Sequence, residues 1–138
     1  MKNKQLQSWD GAFGDTAKEH TPCTPALLRK RVLAFPKIFQ SIGLNDLRSI
    51  VEVGANIGMN LRALQPLTEA ALYAREPNPS ARKALMDDQA LPALQIPNGS
   101  AEQLPFEDAS MDIVFTCTVL IHIQQWTPII GQKISDAK

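Results

Sequence analysis

The stretch "VEVGANIGMN", residues 51–60, decides how this chain is read. An apolar, β-branched run ends in a carboxylate, Glu52, and two glycines follow, Gly54 and Gly58. Extended back to Arg48, the run "RSIVEVG" has the composition of a short buried strand. Gly54 allows a sharp turn with room for a ligand, and Gly58 lets the next helix start close to the strand. A helix N-terminus at such a turn offers free N–H groups and partial positive charge to a carboxylate or phosphate. Glu52 repels phosphate and attracts a cationic ligand group. Asn56 tolerates a left-handed turn conformation or donates a hydrogen bond. The plainer alternative is a tight strand-to-helix turn with Glu52 solvated.

Working outward, strand-like and helix-like segments alternate. Upstream, "TPALLRKRVLAFPKIFQSIGL" (24–44) reads as a helix with Thr24 as N-cap and Pro25 in the first position. Leu28, Val32, Phe35, Phe39 and Ile42 recur at helical spacing, Pro36 is expected to kink or split it, and Gly43 to stop it. Downstream, "MNLRALQPL" is a short helix broken by Pro66, and "ALYAREP" (71–77) is a second strand. Asn78 caps a helix that begins at Pro79. A weak third strand lies near "ALQIP", and "MDIVFTCTVL" (111–120) is the fourth. The pattern predicts an α/β, Rossmann-like, doubly wound and mainly parallel sheet. About four strands is fewer than such domains usually hold, so the sheet is expected to be incomplete.

Bulk properties narrow the function. With 138 residues the chain can bury one core. Fourteen basic and fourteen acidic residues cancel, so no global field points to nucleic acid or a membrane surface. No apolar run approaches transmembrane length, and the first fifteen residues lack the apolar core of a signal peptide. The expected compartment is the cytoplasm. Cys23 and Cys117 are far apart and outside any paired-cysteine motif, so neither disulfide nor metal is expected.

Four further features bear on chemistry. Glu76 ends the second strand, 18 residues after Gly58, where an acidic side chain suits a ribose diol. Otherwise it is a charge flanking the Asn78 cap. In "NGSAEQLPF", Ser100, Ala101 and Glu102 are placed to contact a nucleoside base, although Asn98-Gly99 also marks a plain turn. Thr116 and Cys117 fall at the carboxyl end of the fourth strand, facing the same cleft. His122 is a pocket candidate for a general base or a wall histidine, and Cys117 reads as a small buried residue rather than a nucleophile. Upstream, "WDGAFGD" holds Trp9 and Phe13, aromatics expected to pack onto the domain.

The ordered set "VEVGANIG", "REPNP", "NGSAEQLPF" and "MDIVFTCTVLIHI" resembles the four motifs of class I S-adenosylmethionine-dependent methyltransferases. With "WDGAFGD", the chain more narrowly resembles the methylases associated with pseudaminic acid biosynthesis. The resemblance implies that S-adenosyl-L-methionine is the cofactor. Glu52 and Gly54 would face its methionine end, Glu76 its ribose, and Ala101 and Glu102 its adenine. Thr116 would line the methyl-transfer pocket, and residues 1–24, through Trp9 and Phe13, would form a lid over the domain at 25–138. It also implies a small acceptor, a sugar derivative in nonulosonic acid or surface-sugar metabolism. Departures are present. The family has a Tyr and an Arg-Asn pair after the Gly-Asp of the lid, where this chain has Ala17, His20 and Thr21. Arg75 replaces an apolar strand residue and is expected to snorkel or to pair with a carboxylate such as Glu76. The family continues well beyond residue 130, so the C-terminal part of the domain is expected to be missing. Two other readings stay open: a non-catalytic remnant of such a domain, and a nicotinamide-dependent oxidoreductase, which Glu52 and the absence of a Gly-x-Gly-x-x-Gly order disfavour.

Overall fold

The computed structural model describes Gln7, Thr16, residues 23–97 and residues 104–117. In chain order these form α1 (Pro25–Ile38), β1 (Ser49–Val53), α2 (Met59–Leu64), β2 (Ala71–Arg75), α3 (Pro79–Met86) and β3 (Ile113–Thr116). The three strands make one parallel sheet in the order β2-β1-β3. This is the open, Rossmann-like α/β arrangement expected from the alternating pattern.

The weak third strand is reduced to one bridge. Gln95 pairs parallel with Tyr73 on the far side of β2, donating to Leu72 O at 3.0 Å and accepting from Ala74 N at 2.9 Å. Pro92 and Pro97 flank it, and neither can donate a ladder hydrogen bond, so the pairing cannot extend. The fourth predicted strand is β3, and its predicted continuation from Thr118 lies outside the described residues.

The helix ends follow from the capping residues. Thr24 Oγ1 accepts from Leu27 N, Asn78 Oδ1 accepts from Ala81 N at 2.8 Å, and each is followed by proline at the first helical position. Pro36 does not split α1. It lies in the last turn, and the helix stops two residues later, at Ile38, ahead of Gly43. Gly43 instead opens a 3-10 turn at Leu44–Asp46.

Side-chain alternation along the strands builds the core. Ile50 on β1 is in register with Leu72 and Ile113, and these join Ala74, Phe115, Leu61, Leu64 and Leu85 in one apolar cluster. From α1, Phe35 and Phe39 stack on each other with centroids 5.8 Å apart, and Phe35 meets Phe115 edge-on at 6.2 Å. Leu28 and Val32 pack against the same cluster, whereas Ile42, placed on that face by periodicity, is 40% exposed past the helix end. At the other end of the sheet, Asp112 ties β3 to β1 by accepting from Arg48 N at 2.7 Å and Ser49 N at 3.0 Å. Among the described residues, no helix is long and apolar enough to cross a membrane, and no cluster of His, Cys, Asp and Glu could hold a metal ion.

Candidate functional site

The chain leaves β2 on one side of β1 and returns to the other side as β3. Ligands of open α/β sheets bind beyond the carboxyl ends of the strands where the order reverses. Here that place is the end of β1 and β3, with the loop Gly54–Gly58 following β1.

The loop is a sequence of left-handed steps. Gly54, Asn56 and Gly58 have φ of 75°, 51° and 79°. Asn56 thus adopts the left-handed conformation its side chain tolerates. Gly54 N and Ala55 N both donate to Arg75 O, at 2.7 and 3.2 Å, which holds the loop against the end of β2. Gly58 seats α2 on the core. A Cβ there would stand 2.6 Å from Leu85 Cδ2 and 3.1 Å from Leu91 Cδ1.

Glu52 is 1% exposed. Its register partners on one face are Ala74 and Phe115, so an acidic group is set into an apolar layer. It is therefore not the solvated turn residue of the plainer alternative. Burial pushes its carboxyl up to about 8; a hydrogen bond from Asn60 and the charge of Arg31 oppose the rise, and the charge of Glu76 adds to it. Asn60 Nδ2 donates to Glu52 Oε1 at 2.6 Å, and Arg31 Nε donates to Asn60 Oδ1 at 2.7 Å. Sequence reasoning missed both of these supporting residues. Asn60 sits at the second position of α2 and Arg31 one turn before Phe35 in α1, with no motif to mark either.

Glu76 follows β2 and is also buried. Its Oε2 accepts from Asn56 N at 2.7 Å and its Oε1 from Asn78 N at 2.9 Å. Burial raises its pKa, and these two amides and Arg82 counter the rise. Each carboxylate oxygen has two lone pairs, so the group keeps acceptor capacity beyond these bonds. Arg82 Nη1 donates to Glu76 O and Pro77 O, fixing the segment that carries the carboxylate. Arg75 does not snorkel. It is 1% exposed and donates from Nη1 to Pro97 O at 2.9 Å, and no ion pair joins it to Glu76 among the described residues.

Among the described residues, three buried side-chain oxygens at this end of the sheet have no hydrogen-bond partner: Glu52 Oε2, Asn56 Oδ1 and Thr116 Oγ1. They belong to β1, the loop and β3, and Thr116 is in register with Val53. An unmet buried polar atom costs about 1–3 kcal/mol, and Glu52 and Thr116 stand on opposite faces of the sheet by register, so open acceptors flank the ends of β1 and β3 from both sides.

Of the candidate residues, Glu52, Gly54, Asn56, Gly58, Glu76 and Thr116 lie at or just beyond the carboxyl ends of the three strands, with Glu52 and Thr116 on opposite faces of the sheet. Trp9, Phe13, Ser100, Ala101, Glu102 and His122 lie outside the described residues. Cys117 is exposed, contrary to the expectation of burial, because β3 ends at Thr116.

The sequence signature of the family described as "Methyltransferase domain" matches residues 51–132, more than half of the chain. No curated protein matches. Among solved structures, the chain is similar to the YcgJ protein of Bacillus subtilis (TM-score 0.61, 15% identity, covering 75% of this chain and 44% of that one). It is also similar to a protein assigned as an S-adenosyl-L-methionine-dependent methyltransferase from Methanococcus maripaludis (0.69, 14%, 87% and 54%). A third is phosphoethanolamine N-methyltransferase 1 of Haemonchus contortus, solved with phosphoethanolamine and S-adenosylhomocysteine (0.64, 18%, 89% and 28%). These identities speak for the fold. The chain spans about half the length of the first two.

Proposed function

This chain belongs to the methyltransferase domain family, and from that premise we propose that its strand-end cleft binds S-adenosyl-L-methionine for methyl transfer to a small acceptor. The observation that carries the reading is that Glu52, Asn56 and Thr116, at the ends of β1 and β3 and in the loop after β1, each hold a buried oxygen lacking a partner, with the buried Glu76 bonded to the same loop.

The donor set fits the cofactor. A buried carboxylate with one open oxygen, Glu52, suits an ammonium. Glu76 suits the ribose hydroxyls, braced by Asn56 N and Asn78 N. The Gly54 turn brings backbone close to the methionine end, and Thr116 closes the opposite wall. Ser100, Ala101 and Glu102 are assigned to the adenine, and residues 1–24, through Trp9 and Phe13, to a lid that excludes water. His122 is a candidate for the acceptor side of the pocket. When bound, the cofactor's sulfonium supplies an electrophilic methyl group. The residues of the chain then orient the reactants in line and keep out water, which this displacement needs more than acid–base groups.

The "WDGAFGD" stretch supports a finer assignment, a sugar-derived acceptor in nonulosonic acid metabolism. A second reading rests on the bonds of Glu76 to Asn56 N and Asn78 N: the carboxylate would be a brace for the loop in a domain that no longer binds ligand.

Calorimetric titration with S-adenosylhomocysteine separates the two. The cofactor reading predicts saturable binding, weakened by about 1–3 kcal/mol in Glu76→Ala. Absence of binding in a chain that melts cooperatively supports the brace.

A further inference from the structure

Glu52 reaches the surface of the domain through a chain of two hydrogen bonds: Arg31 Nε to Asn60 Oδ1 at 2.7 Å, then Asn60 Nδ2 to Glu52 Oε1 at 2.6 Å. The chain has a direction. Guanidinium only donates, so Asn60 must turn its oxygen to Arg31 and its NH₂ to Glu52. Glu52 Oε1 is thereby committed as an acceptor, and Oε2 is left without a partner. If Glu52 carries a proton, the proton must sit on Oε2, and that oxygen presents O–H to a ligand instead of a lone pair. The groups acting on Glu52 come from three sides: Asn60 on α2, Arg31 on α1 and Glu76 after β2. Arg31 is the basic one and works with Asn60 against burial and against Glu76.

We propose that Arg31, acting through Asn60, is a positioning residue that keeps the open oxygen of Glu52 aimed at the amine of the bound ligand and eases its ionisation when that amine arrives. This rests on the cofactor reading above and adds to it two residues that touch no ligand. Capture of an ammonium displaces the Oε2 proton to solvent, so one proton is released for each ligand taken up by protonated Glu52. Because burial pushes Glu52 to about 8, that release falls within the neutral range.

The test uses the full chain, with the Glu52 carboxyl followed by carbon-13 NMR and S-adenosylhomocysteine binding followed by calorimetry from pH 6 to 9. Glu52→Gln assigns the resonance. In the wild type, affinity should rise with pH, up to about tenfold per unit below the Glu52 midpoint, and then level off. Arg31→Leu should move the Glu52 midpoint to higher pH and weaken binding several-fold at pH 7, with the curves converging toward pH 9. Arg31→Lys should recover most of the loss. Asn60→Leu should reproduce Arg31→Leu or exceed it. An unmoved midpoint in Arg31→Leu overturns the proposal, as does a loss of affinity that is uniform in pH. A wild type that takes up no S-adenosylhomocysteine at any pH overturns the cofactor reading and ligand capture with it, and the carboxyl titration still decides the Arg31 link.

Discussion

Replacing Gly58 by alanine should destabilise the domain at the point where loop and core meet. The residue has φ of 79°, and a left-handed conformation costs a residue with a Cβ roughly 1–2 kcal/mol. The added Cβ would also stand 2.6 Å from Leu85 Cδ2 and 3.1 Å from Leu91 Cδ1. Both leucines are buried, at 1% and 4% exposure, so neither can swing into solvent. Overpacking of this kind costs about 1–3 kcal/mol. Together the two effects predict a loss of about 2–5 kcal/mol, a large part of a small domain's stability. Urea unfolding of the wild type, Gly58→Ala, Leu85→Ala and the double variant separates the contributions. Leu85→Ala opens space for the new methyl without changing φ, so the double variant should be more stable than the sum of single losses by about 1–3 kcal/mol. Loss below about 0.5 kcal/mol in Gly58→Ala, or strict additivity, would refute the contact geometry.

Buried Glu52 makes stability fall with pH. Its carboxyl is raised from 4.5 to about 8, so its contribution is whole below 4.5 and is lost as pH rises through 8. The ceiling is about 5 kcal/mol at ~1.4 kcal/mol per unit. Glu52→Gln should flatten this slope in denaturation series from pH 5 to 9, leaving a smaller one from Glu76, whose pKa is also raised. Asp112 behaves oppositely: its carboxyl is held below the usual range by the amides of Arg48 and Ser49. Its contribution is present above the ordinary aspartate value and lost as pH falls through the lowered one. Asp112→Asn should lower the melting temperature at pH 7 and narrow its gap to the wild type in acid. Asn78→Ala removes the acceptor for Ala81 N and should cost about 1–2 kcal/mol by denaturant titration. Trp9→Ala tests the lid: S-adenosylhomocysteine should dissociate faster in stopped-flow displacement, and an unchanged off-rate counts against the lid.

Local chemistry was legible where one residue type answers one backbone need. Thr24-Pro25 and Asn78-Pro79 marked helix starts because a side-chain acceptor followed by proline fits only there. Gly54 and Gly58 marked the turn, and the β-branched run before them marked β1. Long-range partners were not legible. Arg31 and Asn60 lie 29 residues apart and meet through the packing of α1 on the core, to which Leu28, Val32, Phe35 and Phe39 contribute. Glu76 was read from spacing as a ribose ligand, and its bonds to Asn56 N and Asn78 N required the fold. Ile42 fitted the helical period and is nonetheless exposed, since periodicity does not say where a helix ends. Arg75 is expected from sequence to snorkel or to pair with a carboxylate such as Glu76, and the carbonyl of Pro97 proved to be a partner that no sequence pattern announces.

The most direct measurement is a backbone amide NMR titration of the chain with S-adenosylhomocysteine. The account predicts saturable shifts centred on Glu52, Gly54, Asn56, Glu76 and Thr116, spreading to Asn60 and Arg31. Saturable shifts that leave the strand ends untouched, or none at all in a folded chain, would contradict it.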